Sequence, residues 1–187
     1  MTEPILTIAN QLTILRMALV PALVVLVLQG EMAWALGVFL VAALTDLLDG
    51  FIARWGNQQT RLGAMLDPVA DKLLIGSGFV VLTWGGGLHV AIPSWLTVTA
   101  LCRDGMLVAA VVIVNLVVER RVFYPTWLGK ISSFVQVLTV GAVLLANTLV
   151  RPLGPFELLF PVTLVLSLGS AFHYVYRAST RAAPEAG

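Results

Sequence analysis

Apolar residues dominate six windows of the chain, 12–28, 32–52, 62–84, 95–118, 127–150 and 156–176, and polar residues gather in short stretches between them. Hydrocarbon ~30 Å thick is crossed by roughly 20 helical residues, and only helices or closed barrels satisfy their backbone there. The pattern therefore predicts an all-α integral membrane protein, one domain over 1–187 with six transmembrane helices. Glycine and proline punctuate the connections: Gly30, Gly85-Gly86-Gly87, Pro93 and Pro152-Leu-Gly-Pro155 mark turns, because proline is poorly accommodated beyond a helix's first turn.

Composition removes the other classes. With 59% hydrophobic and 11% charged residues and a mean hydropathy of +0.95, soluble globular, disordered, coiled-coil and secreted disulfide-framework chains are excluded. The single cysteine, Cys102, lies in an apolar stretch and is expected to be a small buried side chain. A net charge of +1 with no basic run gives no support to nucleic-acid binding.

The placement of basic residues sets an orientation. Arg54, Arg61, Arg120 and Arg121 follow the second and fourth windows, Arg177 and Arg181 lie in the tail, and the opposite loops hold only Arg151. The positive-inside rule then puts both termini in the cytoplasm, with 178–187 as a short tail. Residues 1–11 are expected to lie at the interface; their acidic Glu3 and the lack of a cleavage pattern argue against a signal peptide. Trp34, Trp84, Trp95 and Trp127 fall near window ends, where an aromatic belt belongs.

Candidate chemistry lies in four aspartates, Asp46, Asp49, Asp67 and Asp71, all inside apolar windows. A bare carboxylate at mid-helix costs about 2.5 to 3.5 kcal/mol, so the group calls for a neutralising partner. Asp46 and Asp49 are three apart and Asp67 and Asp71 four apart, so each pair shares a helix face. The short loop makes these two helices expected antiparallel neighbours, Asp46 meeting Asp71 and Asp49 meeting Asp67. Like charges so close need a cation, and an oxygen-only set suits a hard divalent ion, Mg²⁺ or Mn²⁺. Gly50, Ala53, Gly63 and Ala64 give close access to the helix backbones, and Arg54 adds a cation suited to phosphate. A divalent ion beside an arginine is equipment for handling a diphosphate.

Read in order, Asp46-x-x-Asp49-Gly50-x-x-Ala53-Arg54, eight residues, Gly63-x-x-x-Asp67-x-x-x-Asp71 resembles the signature of the CDP-alcohol phosphatidyltransferases at every fixed position. The resemblance implies that family's six-helix membrane bundle, usually dimeric, which displaces CMP from a CDP-linked lipid with an acceptor hydroxyl. It implies that Asp46, Asp49 and Asp67 hold the metal with Asp71 contributing. It further implies that Asp71 is the general base and that Gly50, Ala53, Arg54 and Gly63 surround the CDP part of CDP-diacylglycerol. Asn10-x-Leu12-Thr13-x-x-Arg16, the residues around Asp46 and Asp49, and Leu66-Asp-Pro-Val-Ala-Asp-Lys72 are similar to the glycerol-accepting branch. Within that branch Arg103-Asp104 and Pro125-Thr-Trp-Leu-Gly-Lys130 resemble the CMP-forming cardiolipin synthases more than the phosphatidylglycerophosphate synthases. The latter usually carry a second arginine eight residues after the first, where this chain has Val111. The implied substrates are CDP-diacylglycerol and phosphatidylglycerol, with glycerol 3-phosphate as the other acceptor, and the implied setting is a bacterial-type inner membrane with the site facing the cytoplasm.

Arg103, Asp104 and Lys130 are further charges within or at the edge of the fourth and fifth windows. They are expected to bind the acceptor, Arg103 and Lys130 through its phosphate; the competing reading pairs Arg103 and Asp104 with neighbouring helices and leaves Lys130 as an anchor. His173 reads as an interfacial side chain. Two other classes gather intramembrane aspartates. An intramembrane prenyltransferase is not expected to show Gly50, Ala53-Arg54 and Gly63 at these intervals, and a cation transporter places such sites at mid-bilayer between repeats, which this chain lacks.

Overall fold

A computed structural model describes the backbone over residues 8–56, 61–117 and 127–181, and side chains over 11–46, 69–109 and 127–174. The described residues are helical apart from short connections: α1 (Ile8–Leu28), α2 (Met32–Gly56), α3 (Arg61–Trp84), α4 (Ser94–Val117), α5 (Trp127–Leu149) and α6 (Leu159–Arg181), with a 3₁₀ turn at Gly154–Leu158 before α6. The chain is thus all-helical, and among the described residues three segments are long and apolar enough to cross a membrane, Gln11–Leu28, Trp127–Leu149 and Gly154–Tyr174. The first helix begins at Ile8, inside the stretch expected to lie at the interface. Helix α6 starts at Leu159 rather than near 156 because Gly154 and Pro155 first wind the tighter turn.

Two helix ends use the same device. After α1, Glu31 N–H reaches the Leu26 carbonyl and Gly30 N–H the Val27 carbonyl, with Gly30 at φ 78°. After α5, Arg151 N–H reaches Ala146 and Val150 N–H reaches Asn147, with Val150 at φ 50°. Both are left-handed C-terminal caps that satisfy the last carbonyls. Glycine fits that conformation freely, whereas a β-branched residue is strained in it.

The chain divides into two compact units. The first comprises Met1–Ile92 and Val140–Gly154. In it α1 packs against both α2 and α3, around a core of Leu23, Val27, Phe39, Leu74, Phe79 and Leu144. Small residues permit close approach: a Cβ on Gly78 would stand 3.0 Å from Val140 Cγ1. The connection between α3 and α4 is pinned to α5 by Asn147. Its Oδ1 accepts from His89 N–H (2.7 Å) and Val90 N–H (3.1 Å), and its Nδ2 donates to the carbonyls of Val90 and Val143, both at 2.8 Å.

The second unit comprises Pro93–Thr139 and Pro155–Gly187. Here the carbonyl of Pro93 accepts the first bonds of α4, from Leu96 and Thr97 N–H. Helix α4 packs on α6, and the interior is polar: Thr97, Arg103, Asp104, Ser132, Gln136, Thr139, Thr163, Ser167 and Ser170 are all buried. Cys102, expected to be buried, is exposed. The turn of α4 that directs Arg103 and Asp104 inward leaves Cys102 on the outer face with the exposed apolar side chains of Val98, Leu101 and Met106.

Candidate functional site

In the first unit, α2 and α3 carry the aspartates. Asp46 lies well inside α2, and its Oδ1 stands 2.8 Å from Nη1 of Arg16 on α1. The two ends of this ion pair differ sharply, since the Arg16 side chain is 1% exposed and that of Asp46 44%. Arg16 is among the largest fully buried side chains of the molecule, with Thr13, also buried, one turn before it. A guanidinium so enclosed requires a counter-ion and hydrogen-bond acceptors, and Asp46 supplies one. On α3, Asp71 is partly exposed and its Oδ2 lies 3.8 Å from the Lys72 ammonium.

The expected meeting of Asp49 with Asp67 falls on side chains outside the described residues, as do the expected roles of Gly50, Ala53, Arg54 and Gly63. Asp46 makes its ion pair with Arg16, and α1 is the helix that packs on both α2 and α3. Among the described residues no three His, Cys, Asp or Glu side chains gather as a metal-binding group. The donor chemistry nevertheless suits a divalent cation: Asp46 and Asp71 are both accessible oxygen ligands, and neither is sealed in apolar packing.

The second unit holds the other charges that the apolar windows carry. Arg103 is 3% exposed and makes a short ion pair with Asp104. Its Nη2 donates to the Gly129 carbonyl (3.2 Å) and to Ser170 Oγ (2.9 Å), and its Nη1 reaches Ser133 Oγ at 3.5 Å. One guanidinium thus ties α4 to α5 and α6, while its buried Nε finds no hydrogen-bond partner among the described residues. Lys130 is exposed at the start of α5 with its ammonium 5.8 Å from the Trp127 ring centroid. That geometry suits a cation held at a span end.

The sequence points to Arg16 only through the resemblance, although an arginine within an apolar window is the same signal that singles out Arg103. Gln136, fully buried on α5, carries no charge to draw notice.

Similarity to known proteins extends over most of the chain. A family model described as CDP-alcohol phosphatidyltransferase matches residues 6–172. A human protein named cardiolipin synthase (CMP-forming) is 42% identical over 156 residues, covering 75% of this chain and 50% of that protein. A Streptomyces coelicolor protein of the same name is 40% identical over 143 residues, 71% of this chain and 62% of the relative. A Mycobacterium tuberculosis protein named probable phosphatidylglycerophosphate synthase is 35% identical over 187 residues, 93% of this chain and 82% of the relative. The chain thus spans about half the length of the human relative.

Proposed function

The chain belongs to the CDP-alcohol phosphatidyltransferase family, and on that premise we propose that it is a membrane enzyme of phospholipid biosynthesis. It transfers a phosphatidyl group from CDP-diacylglycerol to the hydroxyl of a glycerol-type acceptor and releases CMP. The observation that carries the reading is the unbroken series of eight fixed positions from Asp46 to Asp71, inside the matched residues 6–172.

Asp46, Asp49, Asp67 and Asp71 are assigned to Mg²⁺ or Mn²⁺, on the strength of their all-oxygen chemistry and the accessibility of Asp46 and Asp71. When bound, such an ion screens the diphosphate and stabilises charge on the departing phosphate. Gly50, Ala53, Arg54 and Gly63 receive the CDP part. Arg16 holds Asp46 in place through Oδ1. Asp71 takes the proton of the acceptor hydroxyl as that oxygen bonds to the phosphorus on the diacylglycerol side. The phosphorus–oxygen bond to CMP breaks, and CMP leaves with the electron pair. With a divalent ion held by these aspartates the acceptor hydroxyl would be more acidic, and a modest carboxylate base at Asp71 would suffice.

Phosphatidylglycerol is the favoured acceptor, giving cardiolipin. Arg103 already balances the buried carboxylate of Asp104, and Val111 supplies no second cation. The pair retains little positive charge for the dianionic phosphate of glycerol 3-phosphate and is better matched to a monoanionic diester. Glycerol 3-phosphate is the second reading, favoured by the mycobacterial relative, which covers 93% of this chain. Six spanning helices, both termini in the cytoplasm and a homodimer complete the proposal; exposed Trp34, Trp84, Trp95 and Trp127 at the helix ends support the span limits.

The test is CMP release by purified protein given CDP-diacylglycerol, Mg²⁺ or Mn²⁺, and one acceptor at a time. Release with phosphatidylglycerol is expected. Release with glycerol 3-phosphate alone reverses the acceptor, and none with either overturns the reaction.

A further inference from the structure

The transfer assigned to Asp71 leaves its chain neighbour, Lys72, without a role. Lys72 lies about three turns, or ~16 Å along the axis, inside a helix that starts at Arg61. That is too deep for a lysine that anchors a helix end, as Lys130 does at the start of α5. Its side chain is 17% exposed and that of Asp71 29%, so both charged groups keep part of their surface accessible. Lys72 Nζ stands 3.8 Å from Asp71 Oδ2, within ion-pair range and beyond hydrogen-bond length. A partly accessible carboxylate has water to solvate it, and holding Asp71 charged does not by itself call for a lysine.

The distances of the transfer place the attacked phosphate beside that ammonium. A hydroxyl giving its proton to Asp71 sits about 2.7 Å from the carboxylate oxygen, and the phosphorus it attacks about 3 to 3.5 Å beyond the hydroxyl. The non-bridging oxygens of that phosphate then lie about 4 to 6 Å from the carboxylate. A flexible lysine head 3.8 Å from the same carboxylate reaches them with one hydrogen bond.

Charge moves along the same path. Before transfer, the negative charge next to Lys72 is the Asp71 carboxylate. As the hydroxyl proton passes to Asp71, that carboxylate becomes neutral, the oxygen bonds to phosphorus, and the charge passes to the phosphoryl oxygens and leaves with CMP. The ammonium thus loses its partner as the phosphate gains charge, and a contact that strengthens in the transition state is one that accelerates the reaction.

We propose that Lys72 is a further catalytic residue, its ammonium donating to a non-bridging oxygen of the diacylglycerol-side phosphate as that phosphate is attacked. The assignment rests on the reaction proposed above and uses residues of the first unit alone.

The experiment measures CMP release from CDP-diacylglycerol and phosphatidylglycerol with Mg²⁺, and Mn²⁺ affinity by electron paramagnetic resonance without lipid substrate. Lys72→Met keeps the length of the side chain and removes its charge; kcat is expected to fall about 10²-fold, with KM for each lipid within about threefold. Lys72→Arg is expected to recover about tenfold of that loss. Mn²⁺ affinity is expected to be unchanged or tighter in Lys72→Met, because a cation beside the acidic group has gone. Lys72→Gln is read in parallel, so that the comparison stands if methionine impairs folding. A fall in kcat below about threefold overturns the proposal. So does a rise confined to KM for phosphatidylglycerol, which assigns Lys72 to the acceptor's phosphate, or weakened Mn²⁺ binding, which makes it a support for Asp71. If the unsubstituted protein releases no CMP with phosphatidylglycerol or glycerol 3-phosphate, the reaction reading fails by itself. Lys72 is then judged by the melting-temperature shift that CDP-diacylglycerol gives: a smaller shift in Lys72→Met supports the phosphate contact, and an equal shift overturns it.

Discussion

Replacing Asn147 with leucine is expected to detach the connection between α3 and α4 from α5. The substitution puts an apolar side chain of similar size in its place and removes three bonds that cross between elements, those with His89 N–H, Val90 N–H and the Val90 carbonyl. His89 is exposed, so water replaces its lost acceptor, at a cost of about 0.5 kcal/mol. Val90 is only partly exposed and loses a bond at each backbone group, about 1 kcal/mol apiece. The fourth bond, to Val143 one turn back on α5, is local to the helix and contributes little. The whole comes to about 2 to 3 kcal/mol, in keeping with the modest worth of side-chain hydrogen bonds in membrane proteins. For a chain of this length that lowers the melting temperature by about 4 to 10 °C. Differential scanning fluorimetry in detergent reads the total, with Trp84 and Trp95 flanking the connection as local reporters. Hydrogen exchange across residues 85–92 reads the place, because the His89 and Val90 amides lose protection. A melting temperature within 1 °C of the unsubstituted protein, or a fall without faster exchange at those amides, refutes the reasoning.

Other outcomes are expected at the site and at the helix ends. Asp71→Asn retains size but cannot accept the proton; kcat should fall by about 10² to 10⁴ with CDP-diacylglycerol binding retained, as read by CMP release and lipid-induced thermal stabilisation. Chelation should abolish CMP release, and Mg²⁺ or Mn²⁺ should restore it in a titration. Arg16→Met removes the buried end of the ion pair and leaves Asp46, 44% exposed, able to rehydrate. The loss of stability should therefore be about 1 to 3 kcal/mol, below that of a pair sealed at both ends, as measured by denaturant unfolding. Val150→Gly relieves a β-branched residue from the left-handed cap that Gly30 fills without strain at the end of α1. It should raise stability by about 1 kcal/mol, seen as a higher melting temperature.

The limits of the helices were legible because bilayer thickness and glycine or proline punctuation are read one segment at a time. The end of α1 at Leu28, the start of α2 at Met32, the end of α3 at Trp84 and the start of α5 at Trp127 fall where the apolar windows change. The acidic series was legible for a related reason: charges in an apolar window stand out without knowledge of their neighbours, and fixed spacing on a helix fixes a face. The facing direction of uncharged residues was not legible. Lipid is as apolar as a protein core, so a membrane helix shows little contrast between inner and outer faces, and Cys102 was assigned to the wrong one.

Local pattern along the chain determined the helical class, the family signature and the residues bearing charge. Tertiary structure alone decided who partners whom: Arg16 with Asp46, 30 positions later; Asn147 with the backbone of a loop 57 residues earlier; and Gln136 placed among satisfied neighbours with nothing of its own. The physical reason is that hydrogen bonds and ion pairs act over a few ångströms. Their formation depends on which helix faces lie against one another, and that is settled by the packing of the whole unit rather than by any single segment.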